Sequence, residues 1–84
     1  MRTEREVMDR IYELEELMKI AITRYYRKED NEETFAKVYF NVWEEMKALH
    51  WVLGKSRLEA SMCVAKKVMR ISDEIQATII ENQQ

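Results

Sequence analysis

His50 and Cys63 are the single histidine and the single cysteine of the chain. A thiol next to an imidazole is the raw material of a nucleophile and its base, provided the two lie within hydrogen-bond reach. If residues 50–63 form one continuous helix, the pair stands about 20 Å apart along the axis. The expectation is therefore a half-buried histidine at a helix interface and a small core cysteine. Glu44, Glu45 and His50 suggest a metal site, but helical ligand pairs need spacings of three or four. Here the spacings to His50 are six and five, so no metal is expected. No glycine-rich phosphate loop is present. With no converging acid, base or nucleophile set, neither an enzyme nor a cofactor is expected.

The strongest chemical signal is positive charge. Residues 46–72 carry Lys47, Lys55, Arg57, Lys66, Lys67 and Arg70 against Glu59 alone, in a chain of net charge −2. On a helix, Lys55, Lys66 and Arg70 fall within about 60° of one another, and Arg57 and Lys67 border them. Tyr25 and Tyr26, among Arg24, Arg27 and Lys28, make a second aromatic–basic group. An anion held by Lys/Arg and stacked on a ring is the chemistry such groups could do. The plain alternative is a solvated charged face and a cationic helix C-terminus. Acidic flanks disfavour duplex DNA, which needs many phosphate contacts.

The elements that must carry these residues are helices. The chain has 84 residues, no proline and one glycine, with 46% hydrophobic and 36% charged residues. That is one domain, and a poor composition for hairpin turns. Thr3 begins a capping box with Glu6. Val7, Ile11, Leu14, Met18, Ala21 and Tyr25 then step by four and three, predicting helix 1 at about 3–28. Asp30 with Glu33 forms a second cap-like pair before helix 2 at about 31–53. Its seam is Phe35, Tyr39, Val42, Met46, Leu49 and Leu53, with Phe40, Trp43 and His50 as a second stripe. Ser56 with Glu59 is a third capping box, opening helix 3 at about 56–81. Ala60, Val64, Val68, Ile71, Ile75 and Ile79 form its apolar face.

Gly54 leaves two readings open. It ends helix 2, giving a three-helix arrangement, or helices 2 and 3 run continuously through it, giving an antiparallel helical hairpin. In either case the class is all-α. A hairpin cannot hide two tryptophans, four tyrosines and a second stripe by itself, so a homo-oligomer is expected. The charged start MRTEREVMDR does not resemble a signal peptide, and no apolar run approaches the roughly 20 residues of a membrane span. A cytoplasmic protein without a membrane partner is the expectation.

Residues 54–63, Gly-Lys-Ser-Arg-Leu-Glu-Ala-Ser-Met-Cys, resemble the second-helix motif of phage helical-hairpin sponges. These proteins sequester cyclic-nucleotide immune signals, in the anti-CBASS and anti-Thoeris manner. Their motif reads Gly/Ala-Arg-Thr-x-Leu-Gln-x-Gly/Ala-x-Met, then a basic residue. Lys55 stands for the Arg, Ser56 for the Thr, Glu59 for the Gln, Ser61 for the small residue and Lys67 for the later base. The resemblance implies a non-catalytic oligomer that binds a small anionic nucleotide at subunit interfaces through Lys55, Ser56 and Lys67. It also implies that Gly54 lies within a helix. The function expected is such a sponge. The alternative is a small helical protein–protein interaction factor, an inhibitor or adaptor of a host protein, supported by the broad apolar faces and six methionines.

Overall fold

Gly54 ends a helix. Its φ is +95°, a left-handed conformation that glycine adopts without the Cβ penalty of other residues. In the computed structural model, which describes residues 3–83, α1 spans Glu4–Tyr26, α2 Glu32–Val52 and α3 Arg57–Gln83. The continuous helix through Gly54, and with it the intrahelical glycine implied by the sponge motif, is corrected. The reason is local hydrogen bonding. The Gly54 N–H donates to the Trp51 carbonyl at 2.9 Å and the Lys55 N–H to the His50 carbonyl at 3.3 Å. These two bonds are the Schellman pattern, which satisfies carbonyls that the ending helix leaves open.

The first turn repeats the device without a glycine. Lys28 sits at φ +61°. Its N–H donates to the Tyr25 carbonyl at 3.0 Å, and the Glu29 N–H donates to the Arg24 carbonyl at 2.9 Å. The N-termini follow the caps, with one shift. Thr3 Oγ1 accepts from the Glu6 N–H at 3.1 Å, and Ser56 Oγ accepts from the Glu59 N–H at 3.1 Å. At α2 the cap is Asn31, whose Oδ1 accepts from the Thr34 N–H at 2.7 Å. Asp30, the expected cap, instead takes both Arg24 nitrogens at 3.0 and 3.1 Å. Either residue can cap; the bidentate arginine decides which does.

Side-chain pairings fix the helix directions. Arg10 of α1 bonds Glu45 of α2, and Tyr25 stacks on Phe35, so α1 and α2 are antiparallel. Lys67 of α3 pairs with Glu15 and Tyr26 bonds Ser72, so α3 runs parallel to α1. The three apolar stripes meet along the bundle axis. Leu14, Met18, Ile22, Val42, Met46, Val64, Val68, Ile71 and Ile75 form one buried cluster. Among the expected seam residues, Tyr25, Phe35, Tyr39, Leu49 and Ile79 are only half-buried. The bundle measures 47 × 24 × 22 Å. Among the described residues no helix is long and apolar enough to cross a membrane.

The two turns make opposite predictions. An added Cβ at Gly54 meets nothing within 4 Å, so Gly54→Ala costs only the left-handed backbone, about 1 kcal/mol. Lys28→Gly removes the same penalty and should stabilise by a similar amount. Thermal unfolding should place the two variants on opposite sides of the wild type, each by about 4–8 °C. Shifts of the same sign would refute the assignment.

Candidate functional site

The reversal at Gly54 folds α3 back along α2, and this brings together residues that a continuous helix keeps apart. Cys63 Sγ lies 3.9 Å from His50 Nε2. Lys55 Nζ lies 3.1 Å from His50 Nδ1 and 3.4 Å from Cys63 Sγ. The expected separation of His50 and Cys63 is thus corrected, because it assumed helix through residue 54. His50 is only 2% exposed. Its pKa lies below the ordinary histidine value, first because burial disfavours the imidazolium, then because Lys55 and Lys67 repel it; Glu15 opposes them. The ring is therefore neutral near pH 7.

The tautomer determines what this cluster can do. An ammonium only donates, so Nδ1 accepts from Lys55 and the ring proton sits on Nε2, facing the sulfur. A ring in that state cannot take the thiol proton, and no carboxylate orients it. The geometry is that of a satisfied polar knot that ties α2, the turn and α3 together, rather than a nucleophile–base pair. Beside it, Lys67 Nζ pairs with Glu15 Oε1 at 2.9 Å, both side chains about four-fifths covered. Glu44 pairs with Lys47 and Glu45 with Arg10, and the described residues hold no group of three that could bind a metal.

The eight residues assigned to anion binding occupy different surroundings. Lys55 and Lys66 share a shallow recess with Glu59, Met62 and Cys63. Ser56 caps α3 with its hydroxyl. Arg57 lies in a groove between α2 and α3, while Lys67 points inward to Glu15. Arg70 sits beside Glu15, Glu16, Lys19 and Glu74. Tyr25 and Tyr26 stand at the far end of the bundle. Tyr25 stacks on Phe35 with centroids 4.3 Å apart, and the row continues through Tyr39 and Trp43 at 5.4 and 5.7 Å. The Tyr26 hydroxyl is held by Ser72 at 2.8 Å and by Gln76 Nε2 at 2.7 Å. Burial raises the Tyr39 phenol above its usual value, with Tyr26 adding to the effect.

A different surface emerges on the α2–α3 side. Glu44, Lys47, Ala48, Trp51, Arg57, Ala60 and Ser61 line a groove of about 280 Å³. Next to it, Leu58, Met62 and Met69 stand on one face of α3, exposed at 71, 52 and 65%. Trp51 and Phe40 of α2 are exposed at 58 and 66%. Sequence reasoning passed over this ridge, although the signal is present. Leu58, Met62, Ala65 and Met69 step by four, three and four, a second apolar stripe beside the core stripe of α3.

Compared with protein-family models, curated proteins and solved structures, the chain has no match.

The buried imidazole generates a pH prediction. Its folded pKa lies below the unfolded value of about 6.5, so the unfolded chain binds this proton first as pH falls. The stabilising contribution is complete above about pH 6.5 and is lost as pH drops through the folded value. Urea unfolding at a series of pH values should show the wild type losing stability over this range relative to His50→Gln. Parallel curves for the two proteins would show that His50 does not titrate as described.

Proposed function

We propose that the protein is a non-catalytic helical interaction factor whose α2–α3 side docks a partner. The observation that carries this reading is the composition of that side. Trp51 of α2 and Leu58, Met62 and Met69 of α3 are all more than half exposed. Arg57, which takes part in no ion pair among the described residues, lines the α2–α3 groove together with Trp51. Tryptophan, methionine, phenylalanine and arginine are the residues that interface cores favour. A side chain such as Leu58, 71% exposed at the start of a helix, contributes nothing to the core that would explain it.

The reading of the protein as a sponge for an anionic nucleotide draws on one feature, the recess shared by Lys55 and Lys66. Lys55 already bonds His50 and Cys63, and Lys67 bonds Glu15, which leaves little unpaired charge at one place. The interaction reading asks for no such convergence.

Tagged wild type and a Trp51→Glu, Met62→Glu variant, used as baits in an extract of the source cell, separate the readings. Both side chains are exposed, so the variant should keep its helicity and melting temperature while losing the proteins that the wild type retains. Retention of the same proteins by the variant would exclude this face. A panel of cyclic nucleotides should leave the melting temperature unmoved. A nucleotide at 100 times its dissociation constant would stabilise by about 2.7 kcal/mol. Such a rise, abolished by Lys55→Glu, Lys66→Glu, would replace the interaction reading with the sponge.

A further inference from the structure

We infer that the occupant of the exposed α3 ridge is a second copy of this chain, packed α3 against α3 in antiparallel sense about a two-fold axis near Met69. This rests on the reading of the α2–α3 side as a docking surface and names what covers it. Two observations carry it, one of area and one of charge.

A compact monomer of 10.2 kDa presents about 5,300 Å² to solvent, and this chain presents 6335 Å². The surplus is on the order of the 800 Å² that each partner contributes to a stable interface. Exposed apolar side chains gather on one face of α3. Leu58, Met62 and Met69, and Ile80 at 56% exposure, fall on one side of α3 at helical spacing, with Ala65 between them. A small residue at that place lets two helices approach closely. A two-fold axis at Met69 sets Met69 on its own copy, Leu58 over Ile80 and Met62 over Gln76, so the centre and both ends of the ridge meet apolar on apolar. Such an interface is self-complementary and closes at two copies.

Charge selects the antiparallel sense. Lys67 is held by Glu15 and Arg70 sits among Glu15, Glu16 and Glu74, so the charges left on the flank of the ridge are Lys66 before Met69 and Asp73 after it. A parallel pair would stack like ends on each other. The antiparallel pair brings Lys66 beside Asp73 of the second copy, since both lie on the same flank of the ridge. Neither residue has an ion pair within the chain among the described residues. Opposed charge patterns of this kind fix register and partner more than they add affinity.

Sedimentation or light scattering should find a dimer at tens of micromolar that dissociates on dilution. Met62→Lys, Met69→Lys should be monomeric with unchanged helicity. Lys66→Glu should raise the dissociation constant about tenfold by turning two attractions into two repulsions. Lys66→Glu, Asp73→Lys should restore it, a rescue that a merely structural effect of either residue would not produce. A wild type monomeric throughout the range overturns the inference. A dimer indifferent to the ridge variant, or one not rescued by the charge swap, overturns it too. If the wild type is monomeric but the Trp51→Glu, Met62→Glu bait still loses its proteins, the second copy is excluded and the docking surface stands with another occupant.

Discussion

The left-handed residue at Gly54 is the constraint on which the rest of the molecule depends. Four residues, 53–56, separate α2 from α3, and in that length the chain must reverse. Reversal requires a positive φ, and the glycine supplies it at little cost. Once it is made, Val64, Val68, Ile71 and Ile75 face Leu14, Met18, Ile22 and Met46 and close the core. Without it α3 would run away from the bundle, and the apolar faces of α1 and α2 would lose the α3 side chains that cover them. The same turn presents the Lys55 backbone to the His50 carbonyl and the Lys55 side chain to the His50 ring. Backbone capping and the polar knot are two consequences of one conformation.

The interior electrostatics follow from that closure. A histidine 2% exposed must be neutral or paired. Here the neutral ring accepts from Lys55 and offers its remaining N–H to Cys63. Lys67 and Glu15, largely withdrawn from water, satisfy each other next to it. No buried side-chain nitrogen or oxygen among the described residues is left without a partner. Charges that look in sequence like one cationic band are thus divided by the fold. Some tie helices together, Arg70 lies among carboxylates, and Arg57 and Lys66 remain at the surface.

Outside the core, the distribution of apolar side chains is lopsided. Helix α1 exposes Tyr12, Leu17 and Ile20, of which Leu17 and Ile20 are neighbours on one face. On α3, by contrast, Leu58, Met62, Met69 and Ile80 share one face, and Trp51 of α2 lines the α2–α3 groove. Scattered exposed apolar residues are normal on any protein, whereas a contiguous group is a statement about association. The ridge can exist because α3 carries two stripes at helical spacing, and the bundle has room to bury only one of them.

The helices and their core faces were legible in the sequence. Heptad spacing over Val7–Ala21 and Ala60–Ile75 is a local property, and caps such as Thr3 and Ser56 act within four residues. Gly54 was ambiguous because a glycine between two helical patterns can bend a helix or end it. The choice depends on whether α3 gains more by packing back on α1 and α2 than by continuing outward. The choice of Asn31 over Asp30 as a cap turns on the bidentate bond from Arg24 across the same turn. The meeting of His50 with Cys63 and the pairing of Lys67 with Glu15 are contacts between helices, invisible to spacing along the chain. The same holds for which α3 stripe became core. Both have apolar residues at the right period, and only the packing of three helices around a common axis decides which faces inward and which is left for something else to cover.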